Sequence, residues 1–306
     1  MYVHLPRDCS RYNSGMATVA VLGITGMLGN SVVQEFAEFD GELIGSARNK
    51  QTDERMKRSF SLDANSNELP KPLVDLGEGD FVINCVGVIK PYIDESTASS
   101  RKNALLINSL FPYVLDALAS ERGFKIIQIA TDCVFSGTKG NYIETDFHDP
   151  VDIYGKSKSV GEVPSGNMMN LRASIIGPEV NRSTSLFEWV RNQPQDVQIT
   201  GYTDHHWNGV TASSFAKICK GIVEGQGFVS GVQHLIPADS VTKSQLVKEI
   251  AAKTNRLDIE IIDGPSGTET DRTLATVNAA QNLKLWTAAG YKSIPKISEL
   301  VDEIEL

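Results

Sequence analysis

The sequence predicts an open, doubly wound α/β domain with a smaller, interleaved C-terminal α/β portion, and three observations carry that prediction. Short apolar runs alternate with longer helical patterns through the first half of the chain. The first run passes directly into a glycine-rich turn and a helix. The runs are apolar on both faces, as strands covered by helices on each side of a parallel sheet must be. In order, ATVAVLG (17–23) reads as a buried strand and MLGNSVVQEFAEF as a helix, while ELIGSA, FVINCVGVI and FKIIQIAT read as further strands. Strands joined through helices pair in parallel by right-handed crossovers. After LRASIIGPE (171–179) the texture is mixed: TASSFAKICKGIVEG (211–225) reads as a helix, GVQHLI as a short strand and TKSQLVKEIAAKT as a helix.

A chain of 306 residues, 41% of them hydrophobic, can bury a substantial core. Its 38 acidic residues outnumber 29 Lys and Arg, and a net charge of -9 repels nucleic-acid phosphates and anionic lipids. No stretch approaches the roughly eighteen uninterrupted apolar residues of a membrane span. A small-molecule partner is therefore expected, with neither nucleic acid nor membrane. Cys9, Cys85, Cys133 and Cys219 lie far apart with no C-x-x-C spacing, and read as reduced thiols of a cytoplasmic protein. Residues 1–16 lack the apolar centre of a signal peptide and are expected to be a loose extension.

The turn after the first strand runs Gly23-Ile24-Thr25-Gly26-Met27-Leu28-Gly29. Glycines there permit backbone angles closed to other residues and let a pyrophosphate approach the N-terminus of the following helix, where free N–H groups and the helix dipole favour anions. A strand before and a helix after make this a Rossmann-like dinucleotide turn, with Gly23, Thr25, Gly26, Met27, Leu28 and Gly29 as candidate cofactor contacts. The second strand ends Gly45-Ser46-Ala47-Arg48 with no acid at its tip. An acid there would bond a ribose 2'-hydroxyl, whereas Arg accepts a 2'-phosphate, so Ser46 and Arg48 point to NADPH, with NADH the alternative. The expected division is an NADP-binding domain over 17–170 with a segment returning at about 205–230, and a substrate-binding portion over 171–204 and 231–306.

The three-and-three glycine spacing resembles that of the extended short-chain dehydrogenase/reductase superfamily, and the resemblance covers nearly everything from Ala17 onward. It implies that Asp63 in FSLDANS contacts adenine, that Cys85, Val86 and Gly87 in NCVGVI pass the cofactor with Val88 on the substrate side, and that Asn108 is a central-helix asparagine. Thr131 stands at the C-terminal end of the strand KIIQIAT, where open α/β sheets bind ligands. Tyr154 and Lys158 follow one turn apart in DIYGKSK. Carbonyl reduction leaves an alkoxide that needs a proton. A Tyr hydroxyl can give it, and a neighbouring ammonium is expected to lower the Tyr pKa from its usual value of about 10. Thr131 would hydrogen-bond the substrate oxygen and fix its angle. In the superfamily the lysine also holds the nicotinamide ribose. An idle pair on a solvated helix is the competing reading of Tyr154 and Lys158.

Sugar-nucleotide dehydratases carry Asp-Glu after the Thr, but here Asp132 is followed by Cys133. ATDCVFSGTKGNYIETD instead resembles the dTDP-4-dehydrorhamnose reductase family, with Tyr142, Glu144 and Asp146 matching its Y-x-E-x-D run. LRASIIGPE resembles that family's Arg-bearing strand, and TDRTLATVNAAQNLK its C-terminal segment. Cys133 in place of Tyr and Thr273 in place of Pro are departures expected to face the hexose, so the sugar need not be the precursor of rhamnose. The loop GYTDHHWNGVT (201–211) resembles capsule and O-antigen sugar reductases. Asp132, Cys133, His206 and Trp207 are candidate substrate contacts, and His205 is a weaker one. Arg172, Arg182 and Arg272 are candidates for the substrate diphosphate, since a guanidinium fork matches phosphate oxygens. Adjacent His205 and His206 point in different directions and are not read as a metal site.

The resemblance implies an NADPH-dependent reductase of a nucleotide-linked 4-keto-6-deoxysugar serving surface polysaccharide synthesis, and a homodimer formed through helices that include 103–120. Two other readings share the fold: a sugar-nucleotide epimerase that retains NAD, and a non-catalytic regulatory subunit such as that of methionine adenosyltransferase.

Overall fold

The computed structural model describes residues 17–49, 53–66, 68–180, 183–225 and 227–306. The expected N-terminal extension, Cys9 and Arg182 lie outside them. The chain runs β1 (Thr18–Leu22), α1 (Met27–Glu35), β2 (Glu42–Ala47), β3 (Arg58–Ser61), α2 (Lys71–Val74), β4 (Phe81–Asn84), α3 (Ala98–Leu105), α4 (Phe111–Arg122), β5 (Lys125–Ala130), α5 (Ile153–Val160) and β6 (Met168–Arg172). It continues β7 (Ile175–Ile176), α6 (Leu186–Arg191), β8 (Gln198–Tyr202), β9 (His205–Trp207), β10 (Val210–Thr211), α7 (Ala212–Val223) and β11 (Gly231–His234). It closes with β12 (Val241–Thr242), α8 (Lys243–Lys253), β13 (Glu260–Gly264), β14 (Thr270–Asp271), α9 (Ala279–Ala288) and α10 (Ile297–Asp302).

Seven strands form one parallel sheet in the order β11-β6-β5-β4-β1-β2-β3. Successive β1 side chains alternate between its two faces. Val19 and Val21 join Val32, Val33, Phe215 and Cys219 under α1 and α7. Ala20 and Leu22 join Phe111, Leu115 and Ala119 under α4. Burial on both faces is why the strand reads as an unbroken apolar run. The order reverses between β1 and β4, which places a crevice at their carboxyl ends, beyond Gly23 and Cys85.

Three elements differ from the sequence reading. The strand expected over 81–89 ends at Asn84, whose side-chain oxygen takes the Val86 N–H at 3.1 Å and turns the chain out of the sheet. β3 carries only one buried side chain, Phe60, so no apolar alternation announces it. The segment expected to return to the sheet at 205–230 supplies α7, but the strand itself is β11, one step later, paired from Gly231↔Met169 to His234↔Arg172. α9 packs on the same face through Leu285 and Trp286. The rest of the C-terminal portion gathers α6, α8 and α10 around Phe187, Trp207, Leu246 and Ile250. Among the described residues no helix is long and apolar enough to cross a membrane.

Candidate active site

The glycine turn is built from its own backbone and from Ser46. Gly23 holds φ +83, and the N–H groups of Gly23 and Ile24 both donate to the Ser46 carbonyl at 3.0 Å. The Ser46 hydroxyl also accepts from Gly23 N at 3.3 Å and is buried. Ser46 thus supports the turn from behind, which corrects its reading as a cofactor contact. A Cβ at Gly29 would run into the Gly23 carbonyl, whereas one at Gly26 meets nothing nearer than 3.5 Å. Thr25 and Gly26 are exposed at the tip, and no side chain caps α1. The first turn of α1 therefore offers open N–H groups at the sheet's switch point, which fits a dinucleotide pyrophosphate.

Around this crevice, Arg48 is exposed beyond β2. Asp63 is exposed after β3 and accepts the Asn65 N–H at 3.0 Å in a local turn. Gly87 is exposed, and Cys85 is half-buried with its thiol pushed up to about 12 by burial. Val88 is fastened by its backbone: its N–H donates to the Asn108 side chain at 2.8 Å, and its carbonyl accepts from that amide at 2.9 Å. Asn108 also donates to the Ser157 hydroxyl at 3.0 Å, joining the loop after β4 to α5. It lies in a π-helical segment, Leu106–Leu110. Pro112 explains that widening, because its ring excludes the carbonyl four residues back, which belongs to Asn108. Against that carbonyl packs Gly161, where a Cβ would collide with it.

Thr131 and Tyr154 meet at the end of β5. Thr131 is buried, donates to the Asp132 carboxylate at 3.1 Å and accepts the Cys133 N–H at 3.2 Å. Asp152 caps α5 by accepting the Gly155 N–H at 2.8 Å, which sets Tyr154 in the first turn. Gly155 has no room for a Cβ beside the Cys133 carbonyl, so α5 lies tight against the 131–133 turn. Burial holds the Tyr154 phenol well above its usual pKa, with Cys133, Asp132 and Asp152 adding to the rise and a hydrogen bond with Thr131 opposing it. Lys158 is also buried and donates to the Ile129 carbonyl at 2.5 Å. Burial lowers it to about 8, against the opposing pull of Glu162 and Cys85. Desolvation is the dominant influence on both groups, and the Lys158 ammonium is turned to the end of β5.

Two substrate expectations are corrected. Arg172 is fully buried and cannot reach a diphosphate. Its Nε and Nη2 bind Glu162 at 3.0 and 2.5 Å, and its other N–H groups meet His234 at 2.6 Å and His148 at 2.8 Å. Because a guanidinium only donates, both imidazoles accept at Nε2 and carry their proton on Nδ1, facing Ala275 O and Ser159 Oγ. Trp207 is 4% exposed within the C-terminal core and donates to Ser174 Oγ at 2.8 Å, so it packs rather than lining the crevice. His206 is half-buried in β9, paired with Thr242 on one side and Asp271 on the other. Arg272 donates to the Phe135 carbonyl at 2.9 Å, and its charge reaches Cys133 and Asp152. Tyr142, Glu144 and Asp146 form a clasp: Tyr142 N bonds Thr273 O at 2.9 Å, the Glu144 carboxylate takes Val277 N at 3.0 Å, and Asp146 pairs with Lys139 at 2.5 Å. The sequence reading missed Lys243, which opens α8 and whose ammonium is disfavoured first by burial, with Asp132 and Cys133 opposing that and Arg272 adding to it. Nothing in its local sequence marks it, since only tertiary packing brings α8 to the crevice. Among the described residues no group of three or more His, Cys, Asp or Glu is arranged to hold a metal ion.

A parallel Rossmann-like sheet, an open glycine turn at its switch point and a Thr-Tyr-Lys set beyond β5 define an extended short-chain dehydrogenase/reductase. Within that class the chain belongs to the family of the RmlD substrate binding domain, whose model matches residues 16–282. It is 26% identical over 254 residues to methionine adenosyltransferase 2 subunit beta of Danio rerio, covering 78% of this chain and 74% of that one. It is 27% identical over 240 residues to the probable low-salt glycan biosynthesis reductase Agl14 of Haloferax volcanii, covering 75% and 78%. Its fold matches dTDP-4-dehydrorhamnose reductase of Bacillus anthracis, solved in complex with NADP, with a TM-score of 0.72 at 17% identity over 94% of this chain and 98% of the other.

Proposed function

We propose that the protein is an NADPH-dependent reductase of the 4-keto group of a nucleotide-linked 6-deoxysugar. The observation that carries this reading is the meeting of Thr131 and Tyr154 at the carboxyl end of β5, on the same edge of the parallel sheet as the open glycine turn. Bound at that turn, NADPH would supply hydride to the carbonyl carbon. The residues of this chain manage the oxygen. Thr131 turns its hydroxyl from Asp132 to the substrate oxygen, and Tyr154 donates its proton as the C–O bond becomes single. The raised phenol pKa keeps that proton in place through neutral pH. In this reading Lys158, one turn further along α5, exchanges the Ile129 carbonyl for the ribose hydroxyls, and exposed Arg48 takes a 2'-phosphate.

Exposed Leu105, Leu110 and Tyr113 along α3 and α4 support a homodimer through this flank. The likeness to methionine adenosyltransferase 2 subunit beta supports a second reading, a cofactor-binding regulatory subunit. The test is loss of NADPH absorbance with dTDP-, UDP- and GDP-linked 4-keto sugars. Turnover of one of them, reduced by about 10²–10⁴-fold in Tyr154→Phe, is expected. Epimerised product without net NADPH loss would indicate the epimerase. No turnover together with a stoichiometric enzyme partner would establish the regulatory subunit.

A further inference from the structure

Two amide side chains interrupt the apolar face that the sheet turns to α4. Val82 and Ile126 pack under that helix, and two residues further along the same strands stand Asn84 and Gln128. They are register partners in β4 and β5, and they are 1% and 2% exposed. Burying two amides is costly unless each donor and acceptor is met. The way these are met leads to Lys158.

The Val86 N–H donates to Asn84 Oδ1 at 3.1 Å. Because a backbone N–H can only donate, it fixes the orientation of both amides in turn. Asn84 Nδ2 donates to Gln128 Oε1 at 2.7 Å, which leaves Gln128 Nε2 turned to the Ile129 carbonyl at 3.3 Å. That carbonyl is also the resting place of the buried Lys158 ammonium, at 2.5 Å. Ile129 lies one residue past the last pair of β4 with β5, so two side-chain donors arrive where the ladder on that side has ended. The donors are unequal. The ammonium is charged and close, whereas the amide stands at the long end of the hydrogen-bond range. To reach a ribose hydroxyl Lys158 must leave this carbonyl, and a carbonyl inside the protein that loses its donor without replacement is destabilising. The Gln128 amide is already in place as the replacement.

We propose that Gln128 is a positioning residue for cofactor binding: held by Asn84, it takes over the Ile129 carbonyl when Lys158 moves to the nicotinamide ribose, and so lowers the cost of that exchange. The assignment rests on the ribose reading of Lys158 above and is independent of which sugar is reduced. It also explains why two amides are buried in strands that are otherwise apolar.

Calorimetric titration of the full chain with NADPH, in wild type, Gln128→Met, Lys158→Met and the double variant, tests this. Gln128→Met is expected to weaken NADPH about five- to thirtyfold, since the released carbonyl then has no amide to take it. In the Lys158→Met background the same change should matter by about twofold or less, because no ammonium has to leave. A residue that only supports the sheet would weaken NADPH by one factor in both backgrounds. That result would overturn the proposal, as would wild-type affinity in Gln128→Met, and either leaves the ribose reading standing when Lys158→Met binds weakly. Full affinity in Lys158→Met would remove the ribose reading and the exchange with it. Should Gln128→Met fail to fold, Asn84→Asp takes its place. An ionised carboxylate cannot donate, so the Gln128 amide turns its Nε2 to residue 84 and its oxygen to Ile129. NADPH affinity should fall there as well, and only with Lys158 present; unchanged affinity would sink the proposal equally.

Discussion

Gly26 and Gly29 stand three residues apart in one turn, yet their surroundings separate two kinds of requirement. Gly29 is fixed by its own fold, because a side chain there meets the Gly23 carbonyl. Gly29→Ala should therefore destabilise the protein by about 1–3 kcal/mol, read by thermal or denaturant unfolding. Gly26 has space for a Cβ and an ordinary negative φ, so Gly26→Ala should leave unfolding unchanged. If the pyrophosphate lies over it, NADPH affinity should fall about tenfold or more, which is about 1.4 kcal/mol. Lys158 gives a pH expectation at the same scale. Its ammonium is held near pKa 8 by burial, so a ribose contact that needs the charge weakens as pH rises through 8. NADPH titrations at neutral and alkaline pH should show that loss, and Lys158→Met should bind weakly with no such dependence. Desolvation also explains why the Tyr154 phenol lies above rather than below its usual range: spacing along a helix places two side chains near each other but says nothing of how much water reaches them.

The α4 region shows how a single residue reshapes an element. Pro112 turns the helix before it into a π segment, which presents Asn108 to Val88 and Ser157. The asparagine was legible in the sequence by family resemblance, but the widening that aims it was not, because a helical pattern continues on either side. β6 and the segment that follows α5 are linked by Arg172 and Glu162, whose side chains are fully and nearly fully buried. Arg172→Met would leave the Glu162 carboxylate without its partner and should cost about 3–5 kcal/mol in denaturant unfolding. Pairing it with Glu162→Gln should recover a large part of that, since an uncompensated buried charge is the main penalty. Arg172 read as a phosphate ligand from sequence because a guanidinium is right for both tasks. Burial separates them.

Across the whole molecule, the C-terminal portion is fastened to the sheet domain through the same cluster. His234 at the end of β11 accepts from Arg172 and donates to Ala275, while Glu144 receives the Val277 N–H. Burial, then the Arg172 charge, lowers His234 from the ordinary 6.5 to about 4, and burial lowers His148 as well. The unfolded chain takes up these protons at higher pH than the folded one. Stability contributed by the neutral imidazoles is thus present above about pH 6.5 and lost as pH falls towards 4. Unfolding free energies across that window should decline on acidification, and His234→Asn, whose amide oxygen can accept from Arg172 without titrating, should flatten the decline.

The alternation of strands and helices around the glycine turn, the turn itself and the one-turn spacing of Tyr154 and Lys158 were legible in the sequence alone, since each rests on local periodicity or short spacing. Only the tertiary structure decided which charges are free. Arg172 and Lys243 are both cations without an adjacent acid in sequence. One is neutralised by Glu162 from the segment after α5, and the other, among the described residues, has no carboxylate in salt-bridge contact and lines a cavity formed by elements that meet only when the chain has folded. Desolvation and long-range pairing are properties of packed surfaces, and no window of neighbouring residues contains them.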